Sequence, residues 1–298
     1  MPHPPEPLAR AYAACEALAR SHYENFPVAS LLLPPAMRPH VAAVYAFARV
    51  ADDVADEGAA PPAERQARLA AWRARLHRAA AESNGSIAGA TRDDLIFLAL
   101  GHSIRTRDLP IGLFDDLLSA FGQDTMTSRY DSWADVLDYC RRSANPIGRL
   151  VLRIAGCVDD RLDRSSDALC TALQLANFWQ DFGRDWRAGR LYIPRIVREA
   201  CGAAESDLAS GRMTPAWATA IERACAFTRE LFDKGRGVCD GVRGRLRLEL
   251  RFTWLGGMRI LERVEARRGD LLHYRPSLGA ADAPLLVYRA LRWSAART

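Results

Sequence analysis

Apolar residues return at helical spacing along almost the whole of this chain, and alternating strand patterns are nearly absent. That periodicity restricts the fold to the all-α class. In "PPAMRPHVAAVYAFARVADDVADEG", Pro39 stands near a helix start and Gly58 just past an end. Ala, Val, Tyr and Phe recur between them. "PPAERQARLAAWRARLHRAAAES" reads as a charged amphipathic helix. "NGSIAGATRDD" (Asn84 to Asp94) is a loop, with Thr91 or Asp93 placed to cap the next helix. Further helices are expected over 93–105, 110–122, 132–156, 166–187, 214–240, 245–269 and 283–295. Pro34, Pro110, Pro146, Pro194, Pro215 and Pro276 punctuate them. The pattern amounts to roughly ten helices. The chain is read as one domain, 1–298, because the loop at 84–93 is the only weak candidate for a linker.

Composition narrows the function. Lys234 is the sole lysine, so neither a Schiff-base lysine nor a phosphate-binding Gly-Lys-Ser/Thr loop fits. The remaining basic residues are arginines, forked donors suited to phosphate. A net charge of +5 permits an anionic ligand or a membrane surface. No dense basic run points to nucleic acid. The seven cysteines are scattered without a CxxC, as reduced thiols of a cytoplasmic protein would be. The N-terminus lacks an apolar signal core, and no apolar run approaches the roughly 20 residues that span a bilayer. The expected location is cytoplasmic; the apolar tail that holds Leu271, Leu272, Leu285, Leu286, Val287, Leu291 and Trp293 is either core or a lip that makes peripheral contact at the inner membrane face. The six histidines are dispersed, and none is assigned a role.

Two acidic stripes carry the chemistry. Tyr45, Arg49, Asp52 and Asp56 recur at i, i+4, i+7 and i+11, with Asp53 adjacent, on a helix whose other faces are apolar. Asn177, Asp181 and Asp185 share a second face, with Gln180 beside them. A single acidic pair at this spacing is ordinarily a solvated face. Two, each embedded in core-like sequence, are costly without a cation. Hard oxygen donors favour Mg²⁺ over Zn²⁺, and Arg49, Arg184 and Arg190 flank the stripes as phosphate ligands. The chemistry expected is metal-assisted departure of diphosphate from a cavity walled by both helices.

These residues resemble the squalene/phytoene synthase family, the head-to-head isoprenyl diphosphate synthases. Tyr45, Arg49, Asp52, Asp53 and Asp56 match its first motif. Asn177, Asp181 and Asp185, then Gly189, Arg190, Tyr192 and Pro194, match its second. "YCRRSANPIGRL" (Tyr139 to Leu150) resembles the helix that lines the prenyl tunnel. The resemblance implies an isoprenoid-synthase helical bundle around a central apolar cavity. It implies Mg²⁺, three ions, on Asp52, Asp53, Asp56, Asp181 and Asp185. It implies a prenyl diphosphate held by Arg49, Asn177, Arg190 and Arg275, with Tyr45, Tyr139, Gln180 and Tyr192 as catalytic candidates.

Within the family, "HYENFPVASLLLP" and "FARVADDVADEG" resemble the bacterial hydroxysqualene synthases of the squalene/hopanoid route. Those enzymes ionise presqualene diphosphate, rearrange the cation and capture it with water. Gln180 stands where many condensing relatives carry Arg, and no nicotinamide fingerprint is present, so no NADPH is expected. The expected partners are the prenyl diphosphate and, for hand-over, other enzymes of the squalene route, with no nucleic acid. The alternatives are head-to-head condensation of two prenyl diphosphates and, from another class, a non-catalytic helical interaction protein.

Overall fold

A computed structural model describes residues 6–21, 32–56, 60–82 and 90–294. Among them lie fourteen α-helices, one short 3₁₀ turn and no strand; the only bridge pairs Arg129 with Leu191. Thus the all-α expectation holds, with more and shorter helices than the periodicity predicts. "HYENFPVASLLLP" falls outside the described residues over 22–31, as do Gly58 and residues 84–89 of the expected loop.

The chain divides into two compact units. The first comprises 1–126 and 146–159, the second 127–145 and 160–298. In the first, α1 (Glu6–Ser21), α2 (Arg38–Asp56), α3 (Pro62–Ala81), α4 (Arg92–Arg107) and α5 (Ile111–Asp124) pack together. Helix α2 touches all four others. Its apolar face seats Phe47 among Trp72, Phe97 and Phe114, with Phe47 and Phe114 edge to face at 5.5 Å. Burying one such ring contributes about 1.5–3 kcal/mol. Thr91 caps α4 through a reciprocal box with Asp94, as its position before the helix predicts.

One polar knot interrupts this core. The Tyr12 hydroxyl lies 2.8 Å from Nδ1 of His102, 3.2 Å from Nδ1 of His40 and 3.0 Å from Oγ of Ser103. Ser103 donates to the Ala99 carbonyl at 2.8 Å. Two of the histidines left without a role thus tie α1, α2 and α4 together.

The second unit is built on α8 (Asp160–Gln180), with α12 (Pro215–Gly241) and α13 (Gly244–Ala266) packed against it. A Cβ at Gly235 would stand 2.6 Å from the Leu169 backbone nitrogen, so only glycine lets α12 approach α8 this closely. Trp179, fully buried on α8, donates from its indole to Thr228 Oγ1 at 2.8 Å. The unit also holds α6 (Trp133–Ser143), α9 (Phe182–Arg187), α10 (Arg195–Cys201), α11 (Glu205–Ala209) and α14 (Ala283–Leu291).

Two predicted helices are corrected. The stretch 132–156 is not continuous: α6 ends at Ser143 and α7 runs Asn145–Ile154, because Pro146 is tolerated in a first turn but bars an uninterrupted helix. "YCRRSANPIGRL" is therefore the end of one helix and the start of another. The stretch 166–187 breaks at Asp181, whose backbone (φ −91°, ψ 10°) leaves helical geometry. Helices α13 and α14 also stop short, at Ala266 and Leu291.

Candidate active site

In the first unit, Asp52, Asp53 and Asp56 occupy the last turns of α2. A helix C-terminus carries partial negative charge, so three carboxylates there work against the helix dipole. Two arginines offset this. The Arg49 Nη2 lies 2.5 Å from Asp53 Oδ1, and its Nη1 lies 3.6 Å from Asp52 Oδ2. Arg65, from α3, donates to the Ala55 carbonyl in the last turn of α2 at 2.6 Å and to the Ala60 carbonyl, which precedes α3, at 3.0 Å. Tyr45 is half-buried one turn before Arg49, and burial raises its phenol above the ordinary range.

In the second unit, the break at Asp181 does not scatter its motif. The Asp181 amide donates to the Asn177 carbonyl at 2.8 Å, and the Asp185 amide to the Asp181 carbonyl at 2.9 Å. The i to i−4 ladder therefore runs through the break and keeps Asn177, Asp181 and Asp185 in one row. Both carboxylates are largely buried, 14% and 15% exposed. Arg275 grips Asp181 with two nitrogens: its Nε meets Oδ1, and its Nη2 lies 3.2 Å from Oδ2. Arg184 Nη1 stands 3.8 Å from Asp181, and Arg190 Nε stands 3.6 Å from Asp185.

Arg275 arrives through a close crossing of backbones. A Cβ at Gly183 would lie 2.3 Å from the Leu272 carbonyl and 2.8 Å from that of Leu271, so glycine alone lets this segment lie on α9. Arg187 donates to the Leu272 carbonyl at 3.0 Å, and the Gln180 amide donates to the Pro276 carbonyl at 2.7 Å. Gln180 thus spends its NH₂ on holding the backbone beside Arg275, leaving Oε1 as an acceptor.

Tyr139 and Tyr192 are brought together. Tyr192 stacks on Phe178 at 3.6 Å, nearly coplanar, and Tyr139 lies 6.3 Å from Tyr192 and 6.1 Å from Phe178. Tyr130 completes the group at 5.7 Å from Tyr192. Sequence reasoning passed over Phe178, Tyr130 and Gly183. Phe178 is adjacent to Asn177, and a lone glycine inside a helical pattern is itself a signal of close approach.

The donors at both motifs are hard oxygens, and in the second unit Asp181 lies beside Arg275 and Arg184 and Asp185 beside Arg190, so these positions draw positive charge. Among the described residues no three His, Cys, Asp or Glu side chains gather into an all-protein cage. Carboxylate oxygens are donors suited to a hard divalent ion such as Mg²⁺, which keeps waters and takes phosphate oxygens to complete its shell.

The squalene/phytoene synthase family model matches residues 19–282. A hydroxysqualene synthase of Zymomonas mobilis is 42% identical over 221 residues, 74% of this chain and 71% of the relative. One from Rhodopseudomonas palustris is 33% identical over 85% of this chain and 84% of its own. Among solved structures, a squalene synthase of Alicyclobacillus acidocaldarius has a TM-score of 0.81 at 41% identity, over 89% of this chain and 97% of that one. A dehydrosqualene synthase also reaches 0.81, at 20% identity, which speaks to the fold alone.

Proposed function

The chain belongs to the squalene/phytoene synthase family, and from that membership we propose that it converts presqualene diphosphate to hydroxysqualene. The coarser activity, head-to-head processing of prenyl diphosphates, is that of the family. The observation that carries the finer reading is the likeness to hydroxysqualene synthases at 42% and 33% identity over most of the chain. Gln180 agrees with it, being neutral where condensing relatives carry a cation for a second diphosphate.

In this reading Arg49, Asn177, Arg190 and Arg275 bind and orient the diphosphate. Guanidinium forks match its oxygens two at a time. Asp52, Asp53 and Asp56 in the first unit would hold Mg²⁺, as would Asp181 and Asp185 in the second, and the metal would supply charge neutralisation for the leaving group. The C–O bond breaks, diphosphate departs with the electron pair, and the cyclopropylcarbinyl cation rearranges. The faces of Tyr139 and Tyr192, with Tyr45, are suited to positive charge on carbon. Oε1 of Gln180 accepts a hydrogen bond from the water that captures the cation, and the departed diphosphate takes that water's proton. No step needs a hydride, so NADPH is not used.

The lipid substrate extends the reading to the membrane. No described helix is long and apolar enough to cross a bilayer. Of the apolar tail, Leu271 and Leu272 are buried and belong to the core, whereas helix α14 buries none of its nine residues, and Val287, Tyr288 and Leu291 are exposed on it. We assign it as a peripheral contact at the cytoplasmic membrane face, where the product passes to the next squalene-route enzyme.

The deciding experiment is product analysis of purified protein with presqualene diphosphate and Mg²⁺, without NADPH. A C30 alcohol is expected, and its absence refutes the assignment. One observation favours a second reading, condensation or squalene formation: the solved structure at 41% identity is that of a squalene synthase. That reading requires turnover of farnesyl diphosphate alone, or of presqualene diphosphate only with NADPH.

A further inference from the structure

Arg190 and Tyr192 lie between α9 and α10, outside any helix. One isolated bridge, Leu191 with Arg129, supports their segment, the Leu191 amide donating to the Ser128 carbonyl at 2.9 Å. The Arg190 amide donates to the Asp185 carbonyl at 2.7 Å. A lone bridge is marginal without further support. Two guanidiniums provide it. Arg129 Nη1 donates to the Gly189 carbonyl at 2.5 Å and to the Ser128 carbonyl at 2.9 Å, and its guanidinium lies 5.5 Å from the Trp186 ring. Arg198, on α10, donates from Nε to the Ile193 carbonyl at 3.1 Å. The two gripped carbonyls, of Gly189 and Ile193, bracket Arg190 and Tyr192.

Both guanidiniums end on one acid. Glu205 Oε1 accepts from Arg198 Nη1 at 2.7 Å and from Arg129 Nε at 3.2 Å. Its Oε2 accepts from Arg129 Nε at 3.2 Å and Nη2 at 3.0 Å. The Arg198 side chain is only 9% exposed, so its charge needs an acid beside it. Without Glu205 the two cations repel, and Arg129, the more exposed of them, can turn to water and release Gly189. The acid itself has a firm base. It opens α11, and the indole of fully buried Trp217 donates to the carbonyl of Ala204, the residue before it, at 2.9 Å.

With Arg190 read as a diphosphate ligand, we infer that Glu205 is a positioning residue for the diphosphate site: through Arg129 and Arg198 it sets the segment 189–193, and with it the Arg190 side chain and the Tyr192 ring stacked on Phe178. Glu205 acts through the backbone and touches no substrate. The sign of its effect separates this role from plain electrostatics. Removing a carboxylate near an anion site would, by charge alone, strengthen anion binding. Loss of a positioning acid weakens it.

Calorimetric titration of pyrophosphate in excess Mg²⁺ tests the role on wild type, Glu205→Gln, Arg190→Gln and the double variant. Glu205→Gln should bind pyrophosphate about tenfold more weakly, the scale seen when a partner that orients a binding group is lost. Because Glu205 acts through Arg190, the double variant should bind no more weakly than Arg190→Gln alone, whereas a general structural loss would add in full. Unchanged or tighter binding by Glu205→Gln overturns the proposal, as does full additivity. Should Glu205→Gln not fold, Arg129→Gln enters the same cycle, and full additivity or unchanged binding there overturns it equally. Arg190→Gln that binds pyrophosphate as wild type does would instead remove the diphosphate reading beneath it.

Discussion

At the level of single residues, the second motif shows how a helix can break and keep its chemistry. Asp181 leaves helical dihedrals, yet hydrogen bonds on both sides preserve the row that Asn177 and Asp185 need. Asp181→Ala should lower diphosphate release from presqualene diphosphate by about 10²-fold or more while leaving the circular dichroism spectrum intact. A variant that retains full turnover would remove Asp181 from the site. Gly183→Ala forces a methyl onto the Leu272 carbonyl, 2.3 Å away. Urea unfolding should register a loss of about 1–3 kcal/mol, and a wild-type midpoint would show that the crossing is not tight. The acidic rows themselves were legible in the sequence because a helix translates spacing into a shared face. The grip of Arg275 on Asp181 was not, since 94 positions separate the partners and only the folded chain joins them.

At the level of elements, the period and the capping signals were readable, and the interruptions were not. Thr91 capped where its sequence position said it would, because a cap is a local event. The break between α6 and α7 was also local, and Pro146 could have announced it. The knot joining α1, α2 and α4 could not be foreseen, since Tyr12, His40 and His102 lie far apart along the chain. Its energetics give a pH signature. Burial, with Arg107 and His102 nearby, lowers His40 from its ordinary 6.5 to about 4. His102 is lowered by burial and by Arg105 and Arg107. A depressed folded-state value means that the unfolded chain takes the proton first as pH falls. The contribution is therefore complete above pH 6.5 and lost on the way down through 4. The thermal midpoint of wild type should fall across that window more steeply than that of His40→Asn, and equal slopes would sink the argument. Tyr12→Phe leaves His102 Nδ1 without its phenol partner and should cost about 1–3 kcal/mol at neutral pH. On α14, Val287→Glu with Leu291→Glu should abolish co-flotation with liposomes containing anionic lipid. Wild type that fails to float would dismiss the membrane contact.

At the level of the whole molecule, the scattered cysteines behave as the composition led one to expect: no disulfide forms among the seven. Four are buried, and burial pushes Cys15, Cys225 and Cys239 up to about 12 and Cys140 upward as well. An aromatic disulfide reagent should modify Cys157, Cys170 and Cys201 in the native protein and the other four only after denaturation. Prompt reaction of all seven would contradict the burial. The close seating of α12 on α8 through Gly235 carries a consequence for descent as well as for stability. With α8 pinned at Leu169 by backbone contact, a lineage has little freedom to alter the reaction by sliding or re-tilting that helix. The segment 271–278 is held by a few side-chain bonds to its carbonyls, so its exposed positions, unlike buried Leu271 and Leu272, can be rewritten with less disturbance of the fold. New product specificities in chains of this design should accumulate there, and at the residue in position 180 that holds it.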